Sequence, residues 1–469
     1  VIYFLEQILY TNRPLGRREG RRSDMMIEQL VKRQKNAFQA GKTLMPSFRK
    51  EALRRLLAAI EEYHAQIEDA LMKDLNKPPF EFYMTEYALV MKSIKSTLAS
   101  LDRWTKRHRV VSPLSQFPSD CFTMYEPYGE VLIMAPWNYP FLLAMEPLVG
   151  AIAAGNCCIL KPSEYAPATE KVIAEIVKKA LPRWLAAVVT GDQETAKELL
   201  EIKFDYIFFT GSPGVGREVL KKAAVHLTPV TLELGGKSPC IVEKSADIPL
   251  AAKRIVFGKF LNGGQTCVAP DYVLVQRQVK EELVRWMIHW IRVQFGEKPL
   301  ERWDYPKIVN GKHYNRLMGL MEGQAILKGG KSEPFMLQIE PTLLDGPAWD
   351  SPVMTEEIFG PILPIVSFDS IFDVERLLKT KEKPLALYLF TSRKIVEDYI
   401  LSRCSFGGGC INDTVIHLAV PGLPFGGVGN SGMGSYHGKK TFETFSHEKG
   451  IAKKFALDMP VRYRPYTKG

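Results

Sequence analysis

From Gly129 onward, short and mostly apolar runs alternate with stretches whose apolar residues recur at helical spacing. The runs are Val131-Leu-Ile-Met134, Cys157-Cys-Ile-Leu160, Ala186-Ala-Val-Val189, Tyr206-Ile-Phe-Phe209 and Val230-Thr-Leu-Glu233. Between them the spacing predicts helices over residues 141–154, 169–179, 194–200 and 215–224. Apolar strands alternating with helices indicate a parallel sheet covered on both faces. Right-handed crossovers make that sheet doubly wound, and its ligands then lie beyond the C-terminal ends of the strands.

Upstream, Leu53, Leu56, Leu57, Ile60, Ile67 and Leu71 predict a helix over residues 47–76, opened by Pro46-Ser47. A second long helix is predicted over residues 80–106. Both read as scaffold without chemistry of their own. Residues 110–128, rich in Pro, Ser and Phe, break the helical pattern and read as a hairpin arm leaving the domain. Residues 1–24 differ in character from the rest of the chain: a mostly apolar start precedes Arg13, Arg17, Arg18, Arg21 and Arg22. A secretory signal carries its charge first, and Glu6 and Glu19 count against a transit peptide. They are read as an extension ahead of Met25 or Met26.

Composition adds limits. At 469 residues the chain has room for two or three domains, and 46% hydrophobic with 24% charged residues is ordinary for a soluble globular protein. No apolar run reaches the length of a membrane span. A net charge of +10 suits a phosphate- or carboxylate-bearing ligand. Without a Lys/Arg block interleaved with aromatics, it gives little support to nucleic-acid binding. Seven cysteines, two of them adjacent, do not suggest a disulfide framework and point to a reducing, cytoplasmic setting. With no CxxC pair, no HExxH and eight scattered histidines, no metal site is expected.

The candidate chemistry sits after the strands. Thr210-Gly-Ser-Pro-Gly-Val-Gly216 opens a helix, so Gly211, Ser212 and Gly216 would offer backbone N–H groups to a pyrophosphate. Lys161 and Glu164, after the next strand, would reach ribose hydroxyls; the competing reading is a solvated turn. Cys267 follows Gly263-Gly264 and precedes Pro270. Glycines there let a bound group approach the backbone, and a thiolate would be the nucleophile. A buried structural thiol is the commoner fate of a free cysteine.

These stretches resemble known motifs. Val230-Thr-Leu-Glu-Leu-Gly-Gly-Lys-Ser-Pro239 and Phe260-Leu-Asn-Gly-Gly-Gln-Thr-Cys267 resemble the glutamate and cysteine signatures of the aldehyde dehydrogenase superfamily. Pro136-Trp-Asn-Tyr-Pro140, Lys161-Pro-Ser-Glu164, Thr355-Glu-Glu-Ile-Phe-Gly-Pro361 and Pro424-Phe-Gly-Gly427 are similar to its other motifs, in the family's order across about 290 residues. Met124-Tyr-Glu-Pro-Tyr-Gly129, Asn412-Asp413 and Tyr436-His-Gly-Lys439 resemble class 3, the short dimeric enzymes of fatty and aromatic aldehydes.

The resemblance implies an α/β chain. A doubly wound NAD-binding domain is expected from residues 25–109 and 129–233, with a second α/β catalytic domain over 234–412. A small β oligomerisation arm at 110–128 and a bridging segment at 413–460 complete it. Cys267 would attack the aldehyde carbon and give a thiohemiacetal, with Asn138 and the Cys267 N–H stabilising the oxyanion. Hydride would pass to the cofactor, and Glu233 would activate water to hydrolyse the thioester. Glu357 would bind the nicotinamide ribose and Phe359 pack by the ring. Glu164 favours NAD, because a 2′-phosphate would meet a like charge, with NADP also open. Pro213 and Gly214 depart from the Thr and Glu of many relatives. Tyr83, Trp137, Tyr139 and Phe425 would line a tunnel for medium-chain aliphatic or aromatic aldehydes, and a homodimer is implied. A cysteine-dependent ester hydrolase is the rival, but the superfamily motifs carry no histidine to serve as its base. A non-catalytic binding protein would not need Cys267, Glu233 and Asn138 together.

Overall fold

A computed structural model of the chain describes residues 17–457 and Arg464. The predicted strands form one sheet, in the order Gly432–Met433, Val230–Leu234, Tyr206–Gly211, Glu130–Met134, Cys157–Lys161, Ala186–Val188. Five run parallel and Gly432–Met433 pairs antiparallel with Val230–Leu234. Successive strands step outward from Glu130–Met134 on one side, then return to its other side with Tyr206–Gly211. The crevice between those two strand ends is therefore the switch point where such sheets bind ligands. Alternate side chains point to opposite faces of a strand. Accordingly Val131, Ile133, Leu160 and Phe208 enter one core, while Leu132, Met134, Ile159 and Phe209 enter another. That is why these strands lack polar alternation.

A second sheet has the order Ile326–Lys328, Thr342–Asp345, Ile362–Phe368, Tyr272–Gln276, Pro239–Val242, Ala386–Phe390, Gly408–Ile411. All its pairings are parallel except that of Ile326–Lys328. The arm is antiparallel: Ser119–Pro127 lies between His108–Val110 and Ser446–Lys454. Residues 413–445 first wall the space beside Cys267, then add Gly432–Met433 to the first sheet.

The amino-terminal helices differ from expectation in detail. The predicted helix over 47–76 is two, Pro46–Glu62 and His64–Leu75, separated at Tyr63 with φ −90° and ψ 12°. Apolar periodicity misses the break because Leu56, Ile60, Ile67 and Leu71 face the same core on both sides of it. The second helix is continuous but widened: a π turn, Tyr83–Tyr87, separates Pro79–Phe82 from Ala88–Trp104. Arg17–Gln39 is one helix, so the expected boundary before Met25 falls within it, while residues 1–16 of the expected extension lie outside the described residues.

Candidate active site

The helix Ile248–Phe260 ends in a tight turn, Leu261–Gly264, where Asn262 and Gly263 take φ of 54° and 62°. Gly264, at φ 75°, passes so close to the next loop that a Cβ would stand 2.3 Å from the Gly360 carbonyl oxygen. Only glycine fits. Gln265 then fixes the turn: its Nε2 donates to the carbonyls of Asn262 (3.1 Å) and Lys307 (3.0 Å), and its Oε1 accepts the Val309 N–H (3.0 Å). On the far side the Tyr388 hydroxyl donates to the Val268 carbonyl at 2.6 Å. Cys267 is held between these anchors.

Two cavities meet at Cys267. One is a mostly apolar tunnel between the Ala88–Trp104 helix and the 415–438 segment, lined by Leu89, Tyr139, Leu142, Phe257, Phe425 and Tyr436 among others. The other is the switch-point cleft, lined by Asn138, Gly211, Ser212, Glu233, Glu357 and Phe359 together with Cys267. Of the aromatics expected along a tunnel, Tyr139 and Phe425 are there. Trp137 lines the cleft instead, and Tyr83 is exposed, because the π turn directs its neighbours Met84 and Thr85 inward.

Glu233 lies near the end of its strand inside the cleft, 3% exposed, with neither carboxyl oxygen hydrogen-bonded among the described residues. Burial pushes it well above the usual carboxylate range. Burial also pushes the Cys267 thiol up to about 12, aided by the carboxylates of Glu357 and Glu233 and opposed by the N–H groups of Cys267 and Val268. Histidines do line both cavities, His437 in the tunnel and His313 in the cleft, but among the described residues neither is hydrogen-bonded to the thiol.

Asn138 is 3% exposed, and its amide nitrogen donates to the Gln265 carbonyl at 3.0 Å. Its own carbonyl accepts from Asn262 Nδ2 (2.8 Å) and Lys77 Nζ (3.5 Å). Behind it lies a fully buried ion pair that the sequence did not reveal. Lys77 Nζ is 2.5 Å from Glu86 Oε1, while Glu86 Oε2 accepts the N–H groups of Phe141 and Leu142 at 2.9 and 3.0 Å. The same ammonium sits 4.2 Å from the centre of the Tyr139 ring. Glu81 accepts the Asn262 N–H at 2.8 Å, and burial raises its carboxyl to about 6. The helices read as scaffold thus hold the Asn138 loop against the Cys267 turn.

In the cleft, Ser212 caps the helix Pro213–His226, its Oγ accepting the Val215 N–H at 3.4 Å. A Cβ at Gly216 would meet Leu234 at 2.6 Å, so glycine lets this helix lie close against the Glu233 strand. Thr210 Oγ1 is buried there without a partner among the described residues. A helix start, a close-packed glycine and unpartnered oxygens at a switch point fit a dinucleotide. Glu357 lies over Gly235 and takes the Gly236 N–H; burial, with Asp271, raises it to about 8. Phe359, at φ 52°, meets Trp137 edge-on at 5.3 Å. Arg316, also missed by sequence, donates to the Glu357 and Ile358 carbonyls at 3.1 and 2.6 Å and so fixes this loop. Lys161 and Glu164 form a 3.5 Å ion pair at the end of the adjacent strand, outside the lining of the cleft.

Comparison with known proteins agrees with this arrangement. Residues 11–451 match the profile of the aldehyde dehydrogenase family. The 4,4'-diaponeurosporen-aldehyde dehydrogenase of Staphylococcus aureus is 47% identical over 94% of this chain and 97% of its own length. An aldehyde dehydrogenase of Rattus norvegicus described as dimeric and NADP-preferring is 42% identical over 94% of this chain and 98% of its own. A solved structure described as "Substrate bound state of Staphylococcus Aureus AldH" superposes with a TM-score of 0.92 at 47% identity, covering 94% of this chain and 97% of that one.

Proposed function

The chain belongs to the aldehyde dehydrogenase family, and from that premise we propose that Cys267, Asn138 and Glu233 carry its reaction. The chain is an aldehyde dehydrogenase that oxidises aldehydes with NAD(P). The supporting observation for the residue roles is that Cys267 borders both the tunnel and the cleft, and the cleft also holds Asn138 and Glu233. The aldehyde enters by the tunnel; as the Cys267 sulfur bonds to its carbonyl carbon, the thiol proton passes to the Glu233 carboxylate, which releases it to solvent before the hydrolysis step. The Asn138 amide and the Cys267 N–H hold the oxygen as it gains negative charge, a contribution of about 3 kcal/mol per donor. Gly211, Ser212, Glu357 and Phe359 would hold the dinucleotide in the cleft, where it would supply the hydride acceptor. Glu233 takes a proton from the water that cleaves the resulting Cys267 thioester, and the carboxylic acid leaves.

Medium-chain aliphatic or aromatic aldehydes suit the apolar tunnel walls. NAD is the preferred cofactor and NADP is accepted, because the half-exposed Glu164 repels a 2′-phosphate while Lys161 partly offsets its charge. The assembly is a homodimer: Ser446–Lys454 is an outer strand of its sheet, and Val111, Leu114 and Phe117 are exposed on the arm beside it. Unpaired cysteines throughout suit the cytoplasm. No helix among the described residues is long and apolar enough to cross a membrane.

The deciding experiment follows absorbance of reduced cofactor with a panel of aldehydes, using NAD and NADP in parallel and light scattering for mass. Wild type gains absorbance, whereas Cys267→Ala gains none yet still binds cofactor. Turnover by that variant would remove the sulfur from the mechanism.

A further inference from the structure

The tunnel is mostly apolar; besides Thr85, Lys92, Ser93, Ser96 and Thr266, one buried acid and one buried histidine line it. Glu146, on the Leu142–Ala154 helix, and His437, in the turn after Tyr436, both line it. Glu146 is 9% exposed and His437 8%. Glu146 Oε2 and His437 Nε2 stand 3.7 Å apart, beyond hydrogen-bonding distance, and among the described residues neither side chain has a hydrogen-bond partner. Two polar side chains this close on the wall of one cavity, neither hydrogen-bonded among the described residues, are placed to bond whatever occupies it.

The geometry around them is built rather than incidental. His437 takes φ 86°, a conformation that costs a non-glycine residue energy and persists only where its surroundings enforce it. Here they do: its N–H donates to Thr441 Oγ1 at 2.8 Å, and its ring stacks on Phe425 at 5.2 Å with Tyr436 edge-on at 4.4 Å. The opposite wall is equally fixed. Gly150, one turn beyond Glu146, packs so close to Thr441 that a Cβ would fall 2.2 Å from its methyl group. This locks the spacing of helix and turn, and with it the spacing of the carboxylate and the imidazole.

We propose that Glu146 and His437 form a hydroxyl-binding subsite, so that favoured substrates are aldehydes bearing one hydroxyl on an otherwise apolar chain. This rests on the aldehyde-oxidising reading of the same site. A hydroxyl both donates and accepts, matching a carboxylate and an imidazole N–H at once. An ammonium would meet Lys92, which lines the same tunnel, and a second carboxylate would meet Glu146.

The test compares kcat/KM for octanal and its monohydroxylated isomers, omitting those that close to cyclic hemiacetals. In wild type one isomer is expected to exceed octanal by about 10-fold. In Glu146→Leu that ratio falls to about 1, and in His437→Phe it falls part of the way. The proposal is overturned if octanal equals or beats every isomer in wild type, a result that needs no variant to fold. It is also overturned if the advantage survives Glu146→Leu. Oxidation of no aldehyde at all, octanal included, would sink the parent reading and this one with it.

Discussion

Burial raises the Glu233 carboxyl well above the usual carboxylate range and the Cys267 thiol to about 12 in the cofactor-free protein. The roles proposed for Glu233 are to take the thiol proton and, later, a proton of the hydrolytic water. Glu233→Gln keeps the shape and removes the base, so turnover is expected to fall by about 10²- to 10⁴-fold. Acyl-enzyme then accumulates and appears in intact-protein mass spectrometry. Normal steady-state turnover would count Glu233 out. Both residues were legible in sequence because their immediate neighbours are unusual: Gly263-Gly264 before the cysteine, Leu232 and Leu234 beside the glutamate. Arg316 and Gln265 were not. Their work consists of hydrogen bonds to backbone groups of distant segments, which leave no local pattern.

Among the elements, the two amino-terminal helices changed meaning most. Their apolar spacing predicted helices packed on the core, but nothing in it singled out Lys77 and Glu86. Tertiary contact alone distinguishes them: the π turn lies within that rod and carries Glu86, which meets the N–H groups of Phe141 and Leu142. Removing one partner leaves a lone buried charge, and Glu86→Leu is expected to cost about 3–5 kcal/mol of stability. The double variant Lys77→Met with Glu86→Leu leaves no lone charge and is expected to melt close to wild type. Its kcat should still drop by about 10- to 100-fold, because the Asn138 loop loses its anchor. A double variant with wild-type kcat would reduce the pair to plain scaffold. The five parallel strands of the first sheet, by contrast, were read almost to the residue, since burial on both faces leaves an apolar run, whereas the strands of the second sheet were not read.

Across the whole molecule, buried acids give stability a distinctive pH dependence. Burial raises Glu130 to about 7 and Glu357 to about 8, against 4.5 in an unfolded chain. Between those values the folded chain binds more protons than the unfolded one, so stability falls as pH rises. His417, pushed down to about 4 by burial, works in the opposite sense, but its contribution is complete by its ordinary value of 6.5. The melting temperature of cofactor-free protein is therefore expected to decline from pH 6.5 to about 8, and Glu357→Gln to flatten that decline. A melting temperature that climbs across this window would contradict the assignment. The parallel sheet was legible from the strand–helix rhythm. The pairing of Ser446–Lys454 with Ser119–Pro127 was not, because it joins segments that no local signal connects.

Two openings converging on one sulfur also separate the traffic. With aldehyde in the tunnel and dinucleotide in the cleft, as proposed, the acid product would retreat along the passage its precursor used and the spent dinucleotide would depart by the other door. Added carboxylic acid should thus compete with aldehyde and not with NAD in steady-state inhibition plots. The reduced dinucleotide should show the reverse pattern, so crowding at one entrance need never stall the other.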